Sequence, residues 1–228
     1  MGIPANIQMV RDAVRQAAAR SNRDPGDITL VAVSKTAGLE EIREAYDLGL
    51  RHFGENRLQE AMDKIPRCPP DIAWHFIGHL QTNKAKGVLE GFSLIHSLDR
   101  YRLARRLSSL AAAAERTVRV LVQINIAGEA AKFGLPPGET EGFIRDIGAL
   151  PGLEVVGLMA MAPFAPDPEE SRPYFRDMKA IFDSLQQVPG VNLEILSMGM
   201  SGDFTVAVEE GATMLRIGSL IFGSQSND

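Results

Sequence analysis

One lysine, Lys35, stands at the carboxyl end of an apolar run near the start of the chain. The segment ITLVAVSKT (28–36) has the composition of a strand buried on both faces, and the lysine follows it directly. Such a lysine either extends from the strand end into water, or lies in a pocket where removal from water favours the uncharged amine that attacks an aldehyde. The second interpretation is Schiff-base chemistry, which aldolases also use.

Two glycine- and serine-containing segments near the end of the chain could bind an anion. They read SMGMSGD (197–203) and RIGSLIFG (216–223). Glycine lets backbone N–H groups approach phosphate oxygens, serine hydroxyls add donors, and a helix N-terminus favours the anion. We expect Ser201, Gly218 and Ser219 to surround a phosphate, although such segments are also ordinary turns. With Lys35, they describe a ligand that carries an aldehyde at one end and a phosphate at the other, as pyridoxal 5′-phosphate does.

Arg216 precedes the second of these segments by two residues. The alternation of side chains along a strand can aim it into the same site, whereas a surface salt bridge is the alternative. An arginine stays protonated in proteins, so a pyridine nitrogen that accepts its hydrogen bond is left without a proton. Such a ring accepts carbanion electrons poorly, and most pyridoxal chemistry would be slowed.

Three further polar residues follow or lie within other apolar runs. Asn56 could approach the ring or its phenolate oxygen, or it could cap the next helix. His79 could act as an acid or a base, or it could bond to the backbone of its loop. His75, in AWHFIG, is interpreted as a packed strand residue.

A regular alternation of β-rich runs and amphipathic segments must position these residues. In GLEEIREAYDLGL, for example, Leu39, Ile42 and Tyr46 recur at helical spacing. The predicted strands are Leu30–Ser34, His52–Glu55, Trp74–Gly78, Leu94–Ser97, Val118–Ile126, Val155–Met159, Leu193–Ser197 and Met214–Ile217. Strand–helix alternation implies parallel strands joined by right-handed crossovers. Eight units predict a (β/α)8 TIM barrel with an extra N-terminal helix at about 4–20, and an open doubly wound sheet is the alternative.

Most of the candidate residues follow predicted strands, whereas His75 and Arg216 lie within them. In a barrel, functional groups lie at the C-terminal ends of the strands, so we expect Lys35, Asn56, His79 and the two glycine- and serine-containing segments at one rim. No linker rich in glycine, proline or serine divides the chain, and residues 1–228 are therefore expected to form a single domain.

The overall composition excludes several other classes of function. The chain has 228 residues, with 24 basic and 29 acidic side chains, and this balance lacks the basic footprint of a nucleic-acid-binding protein. No apolar run approaches the ~20 residues of a membrane span, and the N-terminus lacks the apolar core of a signal peptide. We expect a cytoplasmic protein without membrane contact. Cys68 is the only cysteine, so it forms no intramolecular disulfide, and no metal site is predicted.

In order along the chain, LVAVSKT, HFGENRLQE, WHFIGHLQTNK, VQINIAGEAAKFGL, LSMGMSGDF and GATMLRIGSLIFG resemble the pyridoxal phosphate homeostasis protein family, single-domain relatives of the alanine racemase barrel. The resemblance covers nearly the whole sequence. It implies pyridoxal phosphate on Lys35, phosphate contacts from Ser201, Gly218 and Ser219, and Arg216 facing the ring nitrogen. The departure is the pair at 57–58, where the family usually has an aromatic and an aliphatic residue.

The resemblance also implies a function with little or no catalysis. Racemisation needs a second acid or base on the other face of the substrate, which racemases take from a tyrosine of a further domain. This chain stops eleven residues after Ile217, and Tyr46, Tyr101 and Tyr174 all lie in helix patterns. We therefore expect a cofactor carrier, monomeric, that passes pyridoxal phosphate to apo-enzymes or amino acids. A low-activity racemase or lyase is the alternative, and a Schiff-base aldolase without cofactor is less favoured.

Overall fold

Short runs of β-branched and apolar residues form the parallel strands of a closed barrel. The computed structural model describes residues 2–129, 131–188 and 191–223. The strands are β1 (Thr29–Val33), β2 (His52–Glu55), β3 (Ala73–Phe76), β4 (Leu94–Leu98), β5 (Val118–Ile124), β6 (Leu153–Ala160), β7 (Ile195–Ser197) and β8 (Met214–Ile217). Each strand pairs with the next, and β8 pairs with β1. The predicted eight-stranded barrel is confirmed, and the open sheet is wrong.

Helices follow the strands and cover the outside of the barrel. They are α1 (Ile3–Arg20), α2 (Leu39–Asp47), α3 (Leu58–Lys64), α4 (Ala85–Gly91), α5 (Tyr101–Ala113), α6 (Thr140–Gly148), α7 (Arg172–Leu185), α8 (Phe204–Glu209) and α9 (Ser219–Phe222). None of the helices in the described ranges is both long and apolar enough to cross a membrane.

The extra N-terminal helix α1 is confirmed and packs against α2, α8 and α9. Its apolar residues Ile3, Ile7, Val10 and Val14 recur at three- and four-residue steps and are buried, as one face of a helix requires. Next to Ile7 on α1, the Asn6 side chain donates to the Ile221 carbonyl at 2.9 Å. Helix α1 is therefore tied to α9, the last helix in the described part of the chain.

The strand ends differ from prediction where loops continue the apolar pattern. Predicted strand seven begins at Leu193, whereas β7 begins at Ile195, because the Leu193 N–H and C=O contact the Gln186 side chain instead of a neighbouring strand. β5 ends at Ile124, two residues before the predicted end. β6 is longer than predicted, since it extends from Leu153 to Ala160.

Two kinds of side chain fill the inside of the barrel. One kind forms a small apolar cluster of Val31, Leu94, Leu121, Val156, Met159 and Met214. The other kind is polar, and His75, His96, Ser197 and Arg216 are all nearly inaccessible to solvent. A barrel interior is normally packed with branched apolar residues, so this buried polar group is unusual.

Candidate functional site

Lys35 lies just beyond the end of β1, in a turn at the C-terminal mouth of the barrel. Its backbone position is fixed through Ser34, whose N–H donates to the Gly54 carbonyl at 2.9 Å. The Lys35 side chain is exposed, and no described residue forms a hydrogen bond or an ion pair with its amine. For the protein alone, this exposure agrees with the lysine that extends from the strand end into water and not with the lysine in a pocket.

A buried ion pair supports the peptide that carries Lys35. The Ser34 hydroxyl donates to Glu55 Oε1 at 2.7 Å, and Lys64 Nζ donates both to that oxygen and to the Ser34 carbonyl, each at 2.8 Å. Glu55 is fully buried, and its other oxygen has no partner among the described residues. Sequence reasoning missed Lys64, although a glutamate ending an apolar strand could have indicated a buried cation nearby.

Ser201, Gly218 and Ser219 lie together beside the end of β1. The Leu220 N–H donates to Ser201 Oγ at 3.4 Å, which joins the loop after β7 to the start of α9. A Cβ atom on Gly218 would lie 3.3 Å from the Val33 carbonyl oxygen, so the backbone passes close to β1. We call Ser201, Gly218, Ser219 and the Leu220 N–H the serine–glycine cup; it lies at the strand end that carries Lys35.

An acidic residue closes the turn that holds Ser201. Asp203 Oδ1 accepts a hydrogen bond from the Met200 N–H at 2.6 Å. Burial raises the pKa of the Asp203 carboxyl, while the Met200 N–H and the charge of Arg216 act in the opposite direction. A side chain within the loop after β7, that of Asp203, therefore stabilises the conformation of this loop.

Arg216 lies inside the barrel beneath the mouth. Its Nη1 donates to Ser197 Oγ at 2.6 Å, and its Nη2 donates to the Ala160 carbonyl at 2.9 Å. Burial lowers its pKa to about 10, and Asp203 opposes this shift. No carboxylate in the described part of the chain forms an ion pair with Arg216, so the surface salt bridge is wrong.

Asn56 lies in the loop after β2, half-buried, and lines a cavity of about 410 Å³ with Arg57, His79 and Lys84. The N-cap residue of α3 is Arg57, and so the interpretation of Asn56 as a helix cap is wrong. A Cβ atom on Gly78 would lie 2.1 Å from the Asn56 carbonyl oxygen. Only glycine allows the loops after β2 and β3 to meet this closely.

His79 lies at the same rim and stacks on an aromatic ring. The centroids of His79 and Phe133 are 3.7 Å apart and their planes differ by 14°. Burial lowers the pKa of His79, and Asp99, 3.7 Å away, opposes the shift. Sequence reasoning missed Phe133, because a single aromatic residue in a loop has no periodic pattern that would mark it.

Three histidines form a hydrogen-bonded chain inside the barrel. His52 Nδ1 lies 3.0 Å from His75 Nε2, and His75 Nδ1 lies 2.9 Å from His96 Nε2. His96 Nδ1 in turn lies 3.2 Å from Ser197 Oγ, the atom that accepts from Arg216. His75 is confirmed as a packed strand residue, but the chain connecting β2, β3 and β4 to Arg216 is not visible in the sequence.

The donors at the mouth fit a phosphorylated aldehyde with a ring nitrogen. Lys35 supplies an accessible amine, the serine–glycine cup supplies hydroxyl and N–H donors, and Arg216 is a buried cation without an anionic partner in the described chain. The described residues hold no cluster of three or more metal-ligating side chains. With its amine, hydroxyl and N–H donors, the mouth of the barrel is suited to bind an organic anion.

Comparison with known proteins gives the family. Residues 6–226 match the family model described as alanine racemase, N-terminal domain. The pyridoxal phosphate homeostasis protein of Aquifex aeolicus is 42% identical over 220 residues, covering 96% of each chain. That of Escherichia coli strain K12 is 41% identical over 230 residues, covering 98% of this chain and 97% of its own.

Solved structures agree. PipY of Synechococcus elongatus without pyridoxal phosphate has a TM-score of 0.83 at 39% identity, over 92% of this chain and 99% of its own. The same protein with pyridoxal phosphate bound has a TM-score of 0.81 at 37% identity, over 92% and 100% of the two chains. D-threonine aldolase from Filomicrobium marinum, at 20% identity and a TM-score of 0.78, shares the fold over 96% of this chain and 59% of its own. This chain belongs to the pyridoxal phosphate homeostasis protein family, within the barrels of the alanine racemase N-terminal-domain type.

Proposed function

We propose that this protein binds pyridoxal 5′-phosphate at the mouth of its barrel, as an internal aldimine on Lys35, and takes part in vitamin B6 homeostasis. The observation that carries the proposal is the close approach of the Gly218 backbone to Val33 of β1, because it brings the serine–glycine cup beside the strand that ends at Lys35. The names of the relatives and the PipY structure with bound pyridoxal phosphate support the same ligand.

Each residue of the site has a separate task in this proposal. Lys35 Nζ attacks the aldehyde carbon, a C=N bond forms and water leaves. Ser201, Gly218 and Ser219 hold the phosphate, Asn56 approaches the ring or its phenolate oxygen, and Arg216 donates to the ring nitrogen. The bound cofactor supplies a reactive aldehyde and a ring that can withdraw electrons.

The same residues favour holding the cofactor over turning it over. A ring nitrogen that accepts from Arg216 stays unprotonated and withdraws electrons weakly. Of the tyrosines that could act as a second acid or base, Tyr46 donates instead to Asp71 at 2.7 Å. We propose a monomeric, cytoplasmic carrier formed by residues 1–228 as one domain, with apo-enzymes and amino acids as recipients of the cofactor.

Absorbance spectroscopy of purified protein mixed with pyridoxal phosphate tests the bond to Lys35. We expect a new visible band, made permanent by borohydride, in the parent and in a Lys84→Ala control, and its loss in Lys35→Ala. Lys84 is a suitable control because it lines the cavity next to Asn56. A band that persists in Lys35→Ala would place the bond elsewhere, and a spectrum of free cofactor in all three proteins would contradict the proposal.

Turnover separates the carrier from an enzyme. The loaded protein is incubated with L- and with D-amino acids, and the products are separated by chiral chromatography. A carrier leaves the configuration and the carbon skeleton of the amino acids unchanged. Racemised or cleaved amino acids, produced in the parent and absent with Lys35→Ala, would instead support the racemase or lyase.

A further inference from the structure

The guanidinium of Arg216 is a buried charge that lacks a direct counterion in the described chain. Its described hydrogen bonds go to two neutral acceptors, Ser197 Oγ and the Ala160 carbonyl. Moving a charge out of water is costly unless fixed dipoles replace the water. The groups bonded to those two acceptors therefore contribute to stabilising the positive charge of the guanidinium.

Behind Ser197 lies the chain of three histidines, which crosses the barrel interior to its other end. His96 and His75 are almost completely buried, and His52 is half-buried. His52 and His75 line a cavity of about 360 Å³ at the N-terminal end of the strands, opposite the mouth. The chain thus connects Arg216 to the far face of the barrel through consecutive hydrogen bonds.

The direction of each hydrogen bond follows from Arg216. Arginine can only donate, so Ser197 Oγ accepts from it and offers its own proton to His96 Nδ1, the other acceptor within reach. A neutral imidazole has one donor and one acceptor. His96 must then donate from Nε2 to His75 Nδ1, and His75 must donate from Nε2 to His52 Nδ1. The opposite direction would leave the Ser197 hydroxyl proton without an acceptor in a buried place.

The surroundings keep the imidazoles neutral, as this arrangement requires. Burial lowers the pKa of His75 to about 3, and the charges of His52 and Arg119 add to the shift. Burial also lowers the pKa of His96, together with His75 and Arg216, and it lowers that of His52. The charged groups facing this end of the chain from the neighbouring elements are Asp27, Arg119 and Glu194 in one cavity and Arg11, Arg15 and Arg51 in the other.

We propose that His52, His75 and His96 form a one-way donor chain of Nε2–H tautomers that positions the Arg216 guanidinium beneath the mouth. The negative ends of the linked dipoles point toward the guanidinium and stabilise its charge. The Ser197 and Ala160 bonds use two of its five N–H groups, and no described residue accepts from the other three. If the proposed function holds, as this step requires, the guanidinium is thereby fixed for its bond to the ring nitrogen, and His96 is a positioning residue for a ligand it does not touch.

The first test uses protein without cofactor. Nitrogen NMR of histidine-labelled protein distinguishes a protonated from an unprotonated ring nitrogen. We expect His75 and His96 to carry protons on Nε2 and none on Nδ1 at neutral pH. Protons on Nδ1 of both residues, or positively charged rings, would overturn the proposal whatever the protein binds.

The second test removes one hydroxyl from the chain. Ser197→Ala breaks the link between Arg216 and His96, and Ser97→Ala is the matched control, since Ser97 is equally buried and its hydroxyl has no partner among the described residues. In protein without cofactor, we expect the Arg216 N–H resonances to be sharp in the parent and in Ser97→Ala, and to broaden in Ser197→Ala. Equal spectra for all three proteins would overturn the positioning role.

The third test reads the effect at the ligand. For Ser197→Ala, we expect the pH titration of the visible band to shift and the apparent dissociation constant of pyridoxal phosphate to rise about tenfold. His96→Asn, which keeps an acceptor for Ser197, should behave more like the parent than His96→Phe. If the visible band depends on Lys35 but its pH titration is unshifted in every variant, the positioning role of the histidines is overturned and the proposed function stands. Absence of the band even in the parent contradicts the proposed function, and the two measurements without cofactor still decide the donor chain.

Discussion

At the scale of single residues, the space around Gly218 limits what the serine–glycine cup can hold. A methyl group there would lie 3.3 Å from both the Cβ and the carbonyl oxygen of Val33, so the loop before α9 would have to shift. We expect Gly218→Ala to raise the apparent dissociation constant of pyridoxal phosphate about tenfold, a change of ~1.4 kcal/mol. Fluorescence or absorbance titration measures it.

Gly202→Ala is the control for this effect. Gly202 lies next to Ser201, but a Cβ atom on it would meet nothing within 4 Å. We expect nearly parental binding from this variant. An equal loss of affinity in both variants would show that loop stiffness, and not the contact with Val33, limits binding.

A second prediction concerns the ion pair behind Lys35. Lys64→Met leaves the fully buried Glu55 carboxylate without its cation, which typically costs about 3–5 kcal/mol of unfolding free energy. Arg57→Met breaks an exposed pair with Glu60 on the same helix and should cost below about 1 kcal/mol. Urea unfolding of both variants gives the comparison. A similar small loss in the two variants would contradict a charge-paired Glu55.

At the scale of elements, α1 stabilises the part of the chain that forms the serine–glycine cup. The Asn6 side chain holds the Ile221 carbonyl in α9, which begins at Ser219. We expect Asn6→Ala to cost about 1 kcal/mol and to speed hydrogen exchange in α9. Gln8→Ala removes only an exposed bond to Asp12 on α1 and should change neither quantity appreciably. Faster exchange spread over the whole barrel would contradict a local role.

The elements themselves could largely be predicted from the sequence. Alternation of apolar runs with helical periodicity is a local signal, and it gave the barrel, the order of its strands and α1. The ends of β7 and β6 could not be predicted, because they depend on contacts such as that between Gln186 and Leu193. Local patterns identify an element, whereas its last residues depend on its neighbours in space.

The site shows the same division. The positions of Lys35, Ser201, Gly218 and Ser219 follow from the rule that functional groups end barrel strands. The sequence left open whether Lys35 extends into water, and the histidine chain could not be predicted, because both depend on how the closed barrel orients side chains from separate strands. The resemblance to a family implies the ligand of the site, but it does not predict contacts inside the barrel.

At the scale of the whole molecule, we expect the buried histidines to make the free energy of unfolding depend on pH. The pKa of His75 is about 3 in the fold, against 6.5 in the unfolded chain. Its contribution is therefore fully present above about pH 6.5, where both states are neutral, and is lost as the pH falls toward 3, because the unfolded state takes up the proton first. Below the unfolded-state pKa, a histidine that stays neutral in the fold gives a slope of about 1.4 kcal/mol per pH unit.

Urea unfolding at about pH 7.5 and about pH 5.5 checks the sign. We expect the parent to be clearly less stable at the lower pH, and His75→Asn to lose less stability over the same interval. The raised pKa of Asp203 acts in the opposite direction, because the folded state takes up that proton before the unfolded state as the pH falls. Equal slopes in the parent and the variant would contradict a neutral, buried His75.

The openness of the mouth around Lys35 has a kinetic consequence for the proposed function. An exposed amine meets every small aldehyde in its surroundings, and water has equal access to the bond that it forms. The amine therefore cannot select among aldehydes. The residence time of a bound aldehyde must depend on whether its other end is anchored through a phosphate group. Aldehydes without such a group would attach and leave quickly, and the occupant that stays longest would still exchange without any part of the barrel having to open.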